Sequence, residues 1–239
     1  FMYAWLRNLK LEKSACLLGS LAFCFSGFFV AWLEWNTIIQ TAMWLPLILL
    51  AKDKLIILLK NHANSFSTFL RKDIFKWSLV LVFAESSAFF SGHLQTFFYI
   101  ILVSTSYLFL KGFSVIKDKN KKRLYWLLFS ITGGLAMLIT AIQSLPFIEF
   151  IFNSARSFDP PIVFRTDWYL PWKHLIQLTL PDFFGNPSTL NYFGQWNYGE
   201  FVSYIGIIPL LLSSIAILGR RDKTTWFIAI LGLISLVFA

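Results

Sequence analysis

Long apolar segments alternate with short polar segments along most of the chain, and this alternation predicts membrane-spanning helices. A bilayer crossing needs about 20 mostly apolar residues, and fewer where the helix is short or buried in protein. Seven segments meet this requirement, namely residues 14–33, 37–51, 74–90, 95–110, 124–152, 201–218 and 224–239. The pattern therefore predicts an all-α fold, a polytopic transmembrane helical bundle that occupies residues 1–239 as one integral membrane domain.

The Lys and Arg residues predict the orientation of this bundle. Eighteen of the 21 lie in four stretches, at 1–13, 52–76, 111–123 and 219–223. Loops that stay in the cytoplasm carry such cations, whereas loops that cross the bilayer are depleted of them. The four stretches are therefore predicted to be cytoplasmic, which leaves three loops outside, at 34–36, 91–94 and 153–200. We interpret the net charge of +9 as this orientation signal, with no nucleic-acid partner.

The composition excludes an ordinary water-soluble domain. The chain is 57% hydrophobic and only 14% charged, and a soluble domain of 239 residues cannot bury so much apolar surface. The lipid bilayer is therefore the first predicted partner. Because the sequence begins at Phe1 and stops at Ala239 within an apolar run, we interpret it as an internal piece of a longer protein.

Two predicted loops differ from simple connections. Residues 52–73 contain an apolar run, and this part of the chain is either an amphipathic helix on the membrane surface or an extension of the second span. Residues 153–200 hold five of the eight Pro together with many aromatic residues. Loops this long tend to be lids or binding loops. Within it, residues 172–180 are predicted to form a short helix in the headgroup region. The aromatic side chains favour anchoring at the membrane interface, with sugar stacking as the alternative.

Soluble-enzyme motifs and a metal-ligand cluster are not recognisable, so we look for chemistry among polar groups at the membrane boundary. Ionisable residues in a membrane cost free energy unless they are paired or hydrated, which makes Glu85 a candidate. Residues 91–95 read as a tight polar turn between two spans. Gly92 permits the turn, and His93 and Gln95 offer hydrogen bonds on the outer side. The alternative is that these groups only hold the bundle together.

The end of the fifth predicted span holds a second group of candidates. Glu149 and Arg156 lie on one face if the helix continues past residue 152. Arg156, Arg165 and Lys173 are the only Lys or Arg residues on the predicted outer side, and cations there suit a lipid phosphate or diphosphate. The alternative is that they balance the acidic residues of the same loop.

Short motifs run in order over nearly the whole chain, and they are FSGFFVA at 25–31, AMWLPL at 42–47, SGHLQ at 91–95, LPxxE at 145–149, SxR at 154–156 and PDFFG at 181–185. In this order the motifs resemble the YfhO family of bacterial membrane proteins. The resemblance implies a GT-C-like fold. It also implies a glycosyltransferase in the bacterial cytoplasmic membrane, which takes a sugar from a polyprenyl-phosphate carrier. The implied acceptor is a cell-envelope polymer such as lipoteichoic acid, on the outer face.

The resemblance also assigns roles. The catalytic carboxylate of GT-C enzymes lies in the first outer loop, which here precedes Phe1, so the catalytic base is unknown. We expect Arg156 and Arg165 to bind the donor phosphate, and His93, Gln95 and Glu149 to bind sugar or acceptor hydroxyls. No cofactor is indicated, and a requirement for a divalent cation stays open.

Two other functions are compatible with the same residues. In a transporter or flippase for a lipid-linked or polar substrate, Glu85, Glu149 and Arg156 would line the translocation path. Such a protein is expected to show two related halves with broken spans. A non-catalytic subunit is the third reading. The long outer loop favours chemistry at the membrane surface.

Overall fold

The computed structural model describes residues 1–63, 65–154, 169–195, 197–220 and 222–237. All regular elements in these ranges are helices, which confirms the predicted all-α class. The α-helices are α1 (Met2–Asn8), α2 (Lys13–Cys24), α3 (Gly27–Ala31), α4 (Thr37–Ala42), α5 (Leu45–His62), α6 (Lys72–Phe90), α7 (Leu94–Val115), α8 (Lys119–Asn153), α9 (Tyr198–Phe201), α10 (Ile207–Gly219) and α11 (Lys223–Val237). Short 3₁₀ helices cover Phe66–Leu70, Trp172–Leu178 and Pro187–Thr189.

Three helical segments of the described chain are long and apolar enough to cross a membrane. They are Lys13–Ala31, which combines α2 and α3, Leu94–Val115 and Lys119–Asn153. Each coincides with a predicted span. The other four predicted spans fall on helices that are shorter or carry more charge. The structure thus indicates a membrane protein, and the count of seven spans stays a prediction.

The second predicted span, 37–51, differs most from the structure. The chain breaks between α4 and α5, and α5 then continues through residue 62. Pro46 lies in the first turn of α5, where its missing N–H costs no helical hydrogen bond. Ile48, Leu55 and Leu59 recur at helical spacing and are fully buried. Residues 52–62 are therefore part of α5, which favours the interpretation that this loop is an extension of the second predicted span.

The sixth predicted span, 201–218, begins later than expected. The chain leaves α9 at Phe201, and α10 begins at Ile207 after Gly206, whose φ of 95° lies in the left-handed region. At a rise of about 1.5 Å per residue, α10 is roughly 20 Å long, less than the roughly 30 Å of a hydrocarbon core.

Contacts divide the chain into two compact units. The first contains Phe1–Leu11 and the described part of Asn36–Asp159. In it, α6 packs against both α5 and α8, and α7 packs against α5. Helices α6 and α7 form an antiparallel hairpin, in which the Phe89 and Phe97 rings lie 5.2 Å apart. Helices α7 and α8 form the next hairpin, where the Tyr125 hydroxyl donates to the Leu108 carbonyl over 2.6 Å. Because α7 reverses the chain, α8 runs in the same direction as α6.

The second unit contains Glu12–Trp35 and the described part of Pro160–Ala239. Its helices are α2, α3, α9, α10 and α11. The Gly27 N–H donates to the Tyr204 carbonyl over 2.6 Å, and α3 packs against α9. A side chain at position 27 would meet the Tyr204 backbone at 3.2 Å and Val202 more closely still, so glycine is required for this approach.

Candidate functional site

The predicted polar turn connects α6 to α7. Gly92 has a φ of 92°, a conformation that glycine adopts without strain. The Ser91 hydroxyl donates to the Ser87 carbonyl over 2.8 Å and closes the last turn of α6. His93 then caps the start of α7, because its Nδ1 accepts a hydrogen bond of 3.2 Å from the Thr96 N–H.

His93 and Gln95 therefore have local roles as well as the predicted ligand role. Partial burial lowers the pKa of His93, which favours the neutral ring that the cap requires. Gln95 is exposed, and its Nε2 donates to the Tyr99 hydroxyl over 3.1 Å. Both side chains lie at the α6–α7 end of the first unit.

Glu149 lies in the last turns of α8, which end on the same side as α6. Its side chain is exposed, and its carbonyl accepts from Asn153 Nδ2 over 2.9 Å. The helix ends at Asn153, and Ser154 has an extended backbone with φ −88° and ψ 155°. The described helix therefore does not continue beyond Asn153, and the shared helix face of Glu149 and Arg156, which was conditional on such a continuation, stays a prediction. Arg156 and Arg165 lie outside the described residues.

A buried ion pair inside the first unit was not predicted. Lys52 Nζ lies 3.3 Å from Glu85 Oε1, and their side chains are only 4% and 10% exposed. The same ammonium donates to Ser104 Oγ over 3.0 Å. The pair connects α5, α6 and α7. Glu85 was a candidate from sequence, whereas Lys52 was assigned to a cytoplasmic loop.

A cavity of about 440 Å³ opens beside this pair, between α6, α7 and α8. Its wall is mostly apolar and aromatic, and hydroxyl groups of α7 and α8 interrupt it. It extends from Phe109 and Trp126, near the α7–α8 connection, to Phe97 and Ser144, near the opposite end. Cavities of this size and polarity are typical of small-molecule sites.

A second buried polar cluster centres on Asp53, the residue after Lys52. Its carboxylate accepts from the Tyr107 hydroxyl at 2.9 Å, from Trp5 Nε1 at 3.2 Å and from Asn8 Nδ2 at 3.4 Å. These donors fix α1 and α7 onto α5. The cluster is a structural network, because its carboxylate is surrounded by protein donors.

In the second unit, His174 is fully buried in the predicted outer loop. Its ring stacks on Phe184 with centroids 4.2 Å apart, and Nδ1 lies 2.8 Å from Gln177 Oε1. The Gln195 N–H reaches Nε2 at 3.4 Å, which assigns the proton to Nδ1. The predicted short helix at 172–180 is present as the 3₁₀ helix Trp172–Leu178, and His174 is the internal support of this loop.

Lys173, one of the three predicted outer-side cations, lies beside the His174 cluster. Lys173 Nζ lies 5.9 Å from the Phe184 ring centroid. Burial raises the pKa of Glu200. Within the described ranges, the His, Cys, Asp and Glu side chains form no group of three that suits a metal ion.

The helical spacing of the sequence indicates that Lys52 lies on a buried helix face, although its charge had suggested a cytoplasmic loop. Positions 48, 52, 55 and 59 share one face of a helix, so Lys52 belongs to the buried stripe of α5. The partner Glu85 is 33 positions away, and no spacing rule links the two.

No family model, curated protein or solved structure matches this chain. The class that the structure supports is an all-helical protein with helices able to cross a membrane.

Proposed function

We propose that this chain belongs to a bacterial membrane glycosyltransferase with a GT-C-like bundle of the YfhO type. In this proposal the seven segments cross the cytoplasmic membrane, and residues 153–200 face outward. The enzyme transfers a sugar from a polyprenyl-phosphate carrier to an envelope polymer such as lipoteichoic acid. The ordered short motifs support the family, and the distribution of Lys and Arg supports the orientation.

The observation that carries the proposal is an apolar cavity beside a polar helix end. The cavity runs between α6, α7 and α8 toward the end that carries His93, Gln95 and Glu149. A lipid-linked sugar matches this arrangement, because it has an apolar chain and a polar head. Its chain would lie among the helices while its sugar lies at the surface.

The residues have distinct proposed roles. Inverting transfer needs a carboxylate to take the proton of the acceptor hydroxyl, and we assign this base to no residue of the chain. The departing lipid phosphate needs cations, for which Arg156 and Arg165 are proposed. His93, Gln95 and Glu149 would hydrogen-bond the sugar or acceptor hydroxyls.

The test compares Arg156→Ala with Arg71→Ala in cells whose only copy is the variant. Arg71 is an exposed cation just before α6, on the predicted inner side, and serves as the matched control. We expect Arg156→Ala to abolish glycosylation of the wall polymer at unchanged protein level, while Arg71→Ala leaves it intact. Normal glycosylation in the Arg156→Ala cells contradicts the proposal.

A transporter or flippase is the second candidate, and the Lys52–Glu85 pair on the cavity wall favours it. Charged groups that line a membrane cavity often mark a translocation path. Proteoliposomes that contain a polyprenyl-phosphate-linked sugar and an acceptor separate the two functions. The transferase releases free polyprenyl phosphate, whereas the transporter moves the intact lipid between leaflets.

A further inference from the structure

The Lys52–Glu85 pair retains hydrogen-bonding capacity at the cavity wall. An ammonium group has three N–H donors, and Lys52 uses two of them, toward Glu85 and Ser104. The Glu85 carboxylate has acceptor positions beyond the one that Oε1 offers to Lys52. Both side chains line the cavity and are at least nine-tenths buried. A donor and an acceptor therefore lie side by side at the cavity wall, where one polar ligand group can pair with both.

The charge of this pair selects the kind of ligand. Lys52 and Glu85 neutralise each other, and the other described residues that line the cavity carry no charge. A carboxylate or phosphate would bring a charge without a compensating partner into an apolar space. A hydroxyl group accepts one hydrogen bond and donates another, so it can pair with both groups.

The rest of the cavity wall favours a ligand whose body is apolar. Most of its surface comes from aliphatic and aromatic side chains, among them Phe89, Phe97, Phe109, Trp126 and Met137. We infer that this cavity binds an uncharged amphiphile, such as a long-chain alcohol or an acylglycerol. Its terminal hydroxyl accepts from Lys52 and donates to Glu85. The cavity is the one that the proposed donor's lipid chain would enter, but recognition of a hydroxyl by Lys52 and Glu85 is tested without any sugar transfer.

The experiment uses three photoactivatable probes of equal chain length on the purified chain in lipid nanodiscs. One probe ends in a hydroxyl, one in a carboxylate and one in a methyl ether, and each carries a diazirine in its chain. We expect the alcohol to label α7 and α8 at the cavity about tenfold more than either analogue, because a polar site rejects ligands that leave it unmatched. Equal labelling by the alcohol and the ether, or preference for the carboxylate, overturns the inference.

Two adjacent glycines of α8 provide a blocking variant and its control. Gly133 lines the cavity, whereas Gly134 does not, and a Cβ at either position meets no atom within 4 Å. We expect Gly133→Leu to abolish labelling by the alcohol and Gly134→Leu to preserve it. Unchanged labelling in Gly133→Leu shows that the probe binds elsewhere, and the inference then fails.

A double variant tests the polar end of the site. Lys52→Met with Glu85→Leu removes both charges without leaving one unpaired, so folding is retained. Helical content and the unfolding temperature verify this before labelling. We expect the preference for alcohol over ether to fall from about tenfold to none. A preserved preference in the folded double variant contradicts recognition by this pair.

Discussion

Lys52 and Glu85 stabilise the bundle only as a pair. Each is buried, and removal of one partner leaves an unpaired charge inside the protein. We predict that Glu85→Leu lowers the free energy of unfolding by about 3–5 kcal/mol. The Lys52→Met/Glu85→Leu double variant should recover most of this loss. Unfolding in detergent, followed by circular dichroism, measures both. A single variant as stable as the double one contradicts the pairing.

His93 makes the start of α7 sensitive to pH. Because burial lowers the pKa of the folded-state ring, the unfolded chain binds more protons as the pH falls through about 6.5, and stability decreases. We predict a higher unfolding temperature at pH 7.5 than at pH 5.5. His93→Asn should retain the cap and reduce this difference, because an amide accepts from Thr96 without titrating. The same pH difference in both proteins contradicts the role of His93.

At the level of the elements, the α7–α8 hairpin depends on a close approach. A Cβ at Gly112 would lie 2.8 Å from the fully buried ring of Tyr125, which has no room to move. We predict that Gly112→Ala costs about 1–3 kcal/mol of stability through overpacking. Gly134→Ala meets no atom and should raise stability, because alanine is the better helix former by up to about 1 kcal/mol. Equal unfolding temperatures for the two variants contradict this packing.

Sequence patterns predicted the elements that depend on local chemistry. The turn at Gly92 needs only one residue with left-handed backbone freedom, and three predicted spans coincide with long apolar helices. The length of α5 was left open between two interpretations, because Lys52, Asp53 and Lys54 interrupt its apolar run. The buried Asp53 carboxylate accepts hydrogen bonds from Trp5 and Tyr107, which lie 48 and 54 positions away in the sequence. Such pairings form only in three dimensions.

In the candidate site, too, features set by local sequence could be predicted, whereas features formed by distant residues could not. Glu85 stood out because an acid within an apolar segment is costly. The cavity beside it did not, since its wall combines residues from four helices. The end of α8 at Asn153 lies one residue from the predicted end of the fifth span, because the apolar run stops there.

For the whole molecule, the orientation in the membrane is the claim on which the proposed reaction depends. Lys- and Arg-rich loops predict that residue 120 is cytoplasmic and that residue 190 is outside. Asn120 and Leu190 are both exposed in the structure, so a thiol at either position reaches reagents in water. Neither Cys16 nor Cys24 is in a disulfide, so both must first be replaced by alanine.

The most direct measurement is labelling of single cysteines in intact cells with a maleimide that does not cross membranes. We expect Leu190→Cys to react in intact cells, and Asn120→Cys to react only after the cells are permeabilised. Reaction of Asn120→Cys in intact cells, with Leu190→Cys protected, would contradict the orientation and the outer-face reaction that depends on it.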